Sequence, residues 1–249
     1  MTQDFAGQTA LVTGGNSGIG REVANQLAQR GAHVVISGRD VARGTAAVEA
    51  IRGAGGRADF VQADLADLDS VRSLAKQAIA LGRGRVDVLI NNAGLFPFAP
   101  TAEVAAADFD EVYAVNVRAP FYLVAELAPL MAEHGRGSIV NLTTMVASFG
   151  MAGAALYGSS KAALQLLTKA WAAEFGPDGV RVNAVSPGPT RTEGTAVLGD
   201  GLGDLAGTTP LNRVGTPSEI AAGIVFLASE EAALVHGATL PIDGGRLAV

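Results

Sequence analysis

Tyr157 and Lys161 stand four residues apart in a stretch of helical periodicity, which places both side chains on one helix face. The lysines of the chain are Lys76, Lys161 and Lys169, against three tyrosines, so a Y-x-x-x-K spacing arises by chance in roughly 4% of such sequences. A tyrosine that trades a proton near neutral pH must have its pKa brought down from about 10, a change of about 4 kcal/mol. One ammonium about 4 Å away in a partly buried site supplies energy of that order. The pair is chemically sufficient as an acid/base device, although an isolated surface pair at this spacing is also ordinary.

A second constellation is Thr13-Gly14-Gly15-Asn16-Ser17-Gly18-Ile19-Gly20, which follows a strand-like run and opens a helix. A helix N-terminus offers unpaired N–H groups and a positive dipole end to a pyrophosphate. Glycines let the backbone turn sharply and approach the ligand closely. The spacing is G-x-x-x-G-x-G, not the G-x-G-x-x-G of long-chain dehydrogenases. Alone, such a pattern is also what an ordinary βα turn shows. Eighteen residues beyond Gly20 comes Ser37-Gly38-Arg39-Asp40. An acidic side chain at this strand end would grip a ribose 2′-hydroxyl, whereas Gly38 leaves the place to Arg39, which can pair with a 2′-phosphate. This favours NADP(H) over NAD(H), with NAD(H) still possible. The bland alternative makes Arg39 a solvated arginine and Asp40 the N-cap of the next helix.

These groups need a scaffold, and the chain supplies short apolar runs alternating with helical patterns. Strands are predicted over 9–13, 33–37, 58–62, 86–90, 138–142, 180–185 and 238–242, and helices over 19–30, 42–52, 70–81, 109–133, 154–175 and 218–227. That alternation implies an α/β fold: a doubly wound, seven-stranded parallel sheet with helices on both faces, Rossmann-like. No linker, composition shift or repeat divides residues 1–249, so one domain is expected. The stretch 190–212 holds five glycines and little helical period. It reads either as a substrate loop or as a surface excursion.

Composition narrows the function classes. The chain has no cysteine, which excludes disulfides, Fe–S clusters and thiol nucleophiles. Its net charge of −6, with basic residues scattered singly, argues against nucleic acid and anionic membrane as partners. The longest uncharged stretch, 137–160, is too polar for a membrane span. Asp4 precedes the first basic residue, Arg21, so no signal peptide is visible and a cytoplasmic location is expected. His33, His134 and His236 lack metal-ligand spacing, and Gly15-Asn16-Ser17-Gly18-Ile19 fails as a nucleophile elbow at its last position.

Taken together, T-G-x-x-x-G-x-G at 13–20, Asn91-Asn92-Ala93-Gly94, Asn116, Tyr157-x-x-x-Lys161 and Pro187-Gly188 occur in order. With these motifs the whole chain resembles the short-chain dehydrogenase/reductase family, 3-oxoacyl-carrier-protein reductase-like members among them. The resemblance implies that Tyr157 protonates a carbonyl oxygen or deprotonates an alcohol, and that Lys161 lowers the Tyr157 pKa and binds the nicotinamide ribose. Asn116 would hold a water linking Lys161 to solvent. Gly14, Asn16, Ser17 and Ile19 would cradle the phosphates, with Arg39 beside the adenosine ribose. Asp64 and Leu65 would contact the adenine, and Asn92, Ala93 and Gly94 the ribose, although Asn91 and Asn92 would equally serve the sheet centre. Pro187, Gly188, Thr190 and Thr192 would secure the carboxamide. The family also implies a homotetramer packed through the helices 109–133 and 154–175.

One position departs from the family pattern. A serine usually stands thirteen residues before the tyrosine, and here that place is Thr144. Threonine supplies the same hydroxyl with a stiffer, bulkier Cβ. Met145, Phe149, Met151 and Leu156 are expected as substrate-pocket wall, with Trp171 in the core or an interface. The resulting expectation is an NADP(H)-dependent oxidoreductase interconverting a small-molecule ketone or 3-oxoacyl group and a secondary alcohol. The alternative, motivated by Thr144, is a cofactor-binding regulatory or structural subunit with little turnover.

Overall fold

The structure, a computed structural model, describes residues 4–249. Seven apolar runs form β1 (Thr9–Thr13), β2 (His33–Gly38), β3 (Arg57–Gln62), β4 (Val88–Asn91), β5 (Gly137–Leu142), β6 (Val180–Pro187) and β7 (Thr239–Ile242). All pair in parallel, in the order β3-β2-β1-β4-β5-β6-β7. Successive strand residues point to opposite faces. Val12, Val34, Ile36, Ile90 and Val140 therefore enter one core, and Leu11, Val35, Leu89 and Ile139 the other. Burial on both faces is why these strands read as continuous apolar runs.

The helices are α1 (Gly18–Gln29), α2 (Val41–Gly53), α3 (Leu68–Leu81), α4 (Ala106–Tyr113), α5 (Ala119–Glu133), α6 (Ala155–Phe175), α7 (Gly201–Gly207) and α8 (Pro217–Ala228). Val23 and Leu27 of α1, Val48 and Ile51 of α2, and Ile224 and Val225 of α8 cover the first face. Leu74 of α3, Leu123 and Leu127 of α5, and Leu164 and Trp171 of α6 cover the second. Leu11, Leu27, Leu89 and Leu127 are fully buried, each worth about 1.5–3 kcal/mol of transfer free energy. The doubly wound, seven-stranded parallel sheet matches the expectation. Asp40 does cap α2, accepting from Arg43 N–H at 3.0 Å. None of the helices among the described residues is long and apolar enough to cross a membrane.

Two stretches differ from the sequence expectation. The single helix expected over 109–133 begins earlier and is broken: α4 runs into a π turn, Ala114–Arg118, before α5. The widened turn buries Asn116, whose amide takes hydrogen bonds from outside the helix. The loop expected over 190–212 holds a 3-10 turn, Gly194–Leu198, and the short helix α7. Glycines masked the helical period there, while Leu202 and Ala206 supply the buried side.

Strand order reverses between β1 and β4, and the carboxyl ends of the strands open a crevice at that point. Thr13 ties the two strand ends together. Its hydroxyl accepts from Asn92 N–H at 3.0 Å and Ala93 N–H at 3.1 Å, and Asn92 Nδ2 donates to Thr13 O at 2.8 Å. Deeper in, Asn91 Nδ2 donates to Asn141 Oδ1 and Asn141 Nδ2 to Thr168 Oγ1, each at 2.9 Å. This buried polar chain links β4 and β5 to α6.

Candidate active site

A cleft of about 450 Å³ runs across the carboxyl edge of the sheet. It begins at the N-terminus of α1, with Gly14, Asn16, Ser17 and Ile19, and passes the end of β2 at Arg39 and the end of β3 at Asp64 and Leu65. It continues past Asn92, Ala93 and Gly94 to Thr144, Tyr157 and Lys161, with Pro187, Gly188, Thr190 and Thr192 along the β6 side. Every residue expected to be catalytic or to bind the cofactor lines this one cleft except Asn116. Residues separated by up to 178 positions thus meet because parallel strands all deliver their carboxyl ends to the same edge.

The glycine cradle is sterically closed to any side chain. A Cβ on Gly20 would lie 2.4 Å from Gly14 O and 2.3 Å from Asn92 Nδ2, and Gly14 itself holds φ +64°. Backbone here approaches backbone as a pyrophosphate cradle requires. At the β2 end, Ser37 lines the cleft, and its buried Oγ has no hydrogen-bond partner among the described residues. Arg39 is exposed beside it. These features fit a nicotinamide dinucleotide laid along the cleft.

At the other end, α6 presents Tyr157 and Lys161 on one face, and β5 delivers Thr144 just past its carboxyl end. Burial pushes the Tyr157 phenol above its usual range, and a hydrogen bond with the Thr144 hydroxyl pulls in the opposite direction. Lys161 is not among the groups that shift the phenol. Its Nζ is turned to Leu142 O at 2.8 Å, and burial brings its own pKa down to about 8. Desolvation is thus the dominant influence on the phenol in this site.

Asn116 stands behind the cleft wall. Its Oδ1 accepts from Leu95 N–H, and its Nδ2 donates to Leu95 O, both at 2.8 Å, and to Ser160 Oγ at 2.9 Å. The Asn116 side chain is thus occupied with fixing the Leu95 backbone. Gly94 fits between the two polar groups: a Cβ there would lie 3.0 Å from Lys161 Nζ and 3.2 Å from Asn116 Oδ1.

The wall around Tyr157 is apolar. Phe96 and Phe98 meet its ring edge-on at 6.2 and 5.9 Å between centroids. Met145, Val146 and Met151 line the same end, with Leu198, Leu202 and Leu205 opposite. Of the expected wall residues, Met145 and Met151 are in place. Phe149 instead lies under the Arg246 guanidinium at 4.4 Å, and Leu156 is buried outside the cleft lining. Trp171 is core, tilted against Phe121. The sequence expectation did not include Phe96 and Phe98, although both lie within four residues of the Asn-Asn-Ala-Gly motif. It also missed Glu193, Leu198, Leu202 and Leu205. Arg213, near this segment, is held by Glu219 at 2.6 and 3.0 Å. Among the described residues no three His, Cys, Asp or Glu side chains gather to hold a metal ion.

Comparison with known proteins agrees with this geometry. A family model described as enoyl-(acyl carrier protein) reductase matches residues 14–246. The chain is 40% identical over 252 residues to the cis-4-hydroxycyclohexanecarboxylate dehydrogenase of Sinomonas cyclohexanicum, with 100% of each covered. Among solved structures, a short chain dehydrogenase/reductase family protein is 51% identical, with a TM-score of 0.92 over 99% of this chain and 100% of its own. A blue fluorescent protein from a metagenomic library, solved in complex with NADPH, is 37% identical, with a TM-score of 0.92 over 98% of this chain and 99% of its own. With a family model matched over residues 14–246 and relatives similar over nearly the whole chain, this chain belongs to the short-chain dehydrogenase/reductase family and is an oxidoreductase.

Proposed function

We propose that the protein is an NADP(H)-dependent oxidoreductase that interconverts a ketone and a secondary alcohol. The observation that carries this reading is the convergence of Thr144, Tyr157 and Lys161 on the far end of a cleft that starts at the glycine cradle. The bound dinucleotide supplies or accepts the hydride. The chain's part is to hold a proton source beside the reacting oxygen. The half-buried Tyr157, its phenol pKa raised, is that source in reduction, and Thr144 offers its hydroxyl to the same oxygen. Lys161 sits one helical turn on to bind the ribose, and Asn116 fixes the Leu95 backbone that leads to Phe96 and Phe98.

Preference for NADP(H) rests on Arg39, exposed at the β2 end with Gly38 before it, where an acidic residue would favour NAD(H). The relative solved with NADPH is consistent with this choice. Among the described residues the substrate end holds no ionisable Asp, Glu, Arg or Lys other than Lys161, so an uncharged, largely apolar ketone or alcohol fits it best. A relative named for a ring secondary alcohol agrees with that class of reacting group. Exposed Phe121 on α5 and Leu166 on α6 are the apolar surface that assembly through those helices would cover.

The test is NADPH oxidation, followed by absorbance, over ketones, diketones and 3-oxoacyl thioesters, with wild type beside Tyr157→Phe. Turnover by wild type and loss in the variant is expected. Equal turnover would remove Tyr157 from its role, and NADPH binding without any turnover would favour a cofactor-binding subunit.

A further inference from the structure

Helix α1 starts without a side-chain cap of its own: Ser17 makes no capping hydrogen bond and the first turn has no acidic residue. The missing anion comes from 175 residues away. Gly18 N–H donates to Glu193 Oε2 at 3.0 Å, and Arg21 Nη2 donates to Glu193 Oε1 at 2.7 Å. Hydrogen bonds from its own backbone, then Arg21 and Gly18, hold the Glu193 carboxyl below its ordinary range. Beside it, a Cβ on Gly18 would lie 3.2 Å from the Thr192 side chain, so this segment rests directly on the cradle. From there the chain enters the substrate wall at Thr195, Leu198, Leu202 and Leu205. Thr195 closes the turn, donating to Thr190 O at 2.8 Å and accepting from Thr192 N–H at 2.9 Å.

We infer that Glu193 is a positioning residue that fastens the substrate wall to the phosphate cradle and competes with the dinucleotide's phosphates for the positive end of α1. The inference rests on the reading of the cleft as a dinucleotide site. Its physical basis is that a helix N-terminus stabilises one anion and two anions there repel. The Arg21–Glu193 pair is half exposed and contributes little by itself. The charge-assisted bond to Gly18 N–H is the stronger fastening. Glu193 therefore orders the substrate wall at a cost in cofactor affinity. A merely structural ion pair would, when removed, weaken both functions together.

The experiment compares wild type with Glu193→Gln, which keeps the shape and loses the charge. NADPH dissociation constants are read by nucleotide fluorescence, and amide exchange across 194–207 is read in cofactor-free protein. The variant is expected to bind NADPH about three- to five-fold more tightly, while exchange in 194–207 accelerates about ten-fold. Once a substrate is in hand, its KM should rise with kcat changed less. Arg21→Ala, at an exposed position, keeps the carboxylate and loosens one arm. It should speed exchange in the same segment without tightening NADPH. NADPH binding that is unchanged or weaker in Glu193→Gln overturns the inference, as does unchanged exchange in both variants. If wild type binds no NADPH, the dinucleotide reading itself fails, and with it the competition. If wild type binds and the variant is no tighter, only the role of Glu193 fails.

Discussion

Asn116 and the Leu95 backbone form a closed pair of hydrogen bonds, N–H to Oδ1 and Nδ2 to carbonyl, both at 2.8 Å. Leu95 opens the loop that carries Phe96 and Phe98 to the Tyr157 ring. The π turn at Ala114–Arg118 is what turns Asn116 toward that loop. Asn116→Leu leaves a half-buried N–H, a carbonyl and the Ser160 hydroxyl without this partner, so a stability loss of about 1–3 kcal/mol is expected. Chemical denaturation measures it, and a loss under about 0.5 kcal/mol would show that Leu95 finds other partners.

The Thr144 hydroxyl acts on the Tyr157 phenol, pulling its pKa down against the effect of burial. Thr144→Ser keeps the hydroxyl and is expected to hold turnover within about three-fold. Thr144→Val keeps the shape and loses the donor, which should reduce kcat by about 100-fold, the order seen when one aimed donor is removed. Steady-state kinetics on one ketone with all three proteins decides it. Equal kcat in wild type and Thr144→Val would sink the assignment.

Gly38 faces the amide of Asn16, where a Cβ would lie 2.5 Å from Nδ2. Gly38→Asp must push that flexible side chain aside and would set a carboxylate where a 2′-phosphate is to lie. The ratio of kcat/KM for NADPH over NADH is expected to fall about 100-fold, with tighter NADH use. Arg39→Leu should weaken NADPH about ten-fold and leave NADH unchanged. Wild type that already works better with NADH contradicts the reading of Arg39.

Lys161 titrates at about 8 in the folded chain against 10.5 in its ordinary state, because burial disfavours the ammonium. Between those values the unfolded chain binds the extra proton, so stability rises with pH across that window. Below about 8 the cost of burying the charge is fully present. Relative to Lys161→Met, wild type should gain about 2 kcal/mol between pH 8 and 10. Denaturation curves for both proteins across that range test it, and a flat difference means the ammonium survives burial.

The sequence by itself determined the sheet, the glycine cradle and the Tyr157–Lys161 pair, since each is written locally. Continuous apolar runs specify doubly covered strands, glycines mark the tight approach at 14–20, and a spacing of four puts two side chains on one helix face. Only the tertiary structure decided how these parts are held and how they titrate. Glu193 reaches Gly18 and Asn116 reaches Leu95 across 175 and 21 residues, contacts with no local signature. The spacing that pairs Tyr157 with Lys161 carries nothing about burial, which raises the phenol's pKa in the folded chain. Desolvation depends on everything packed around a group, and that information exists only once the chain has closed on itself.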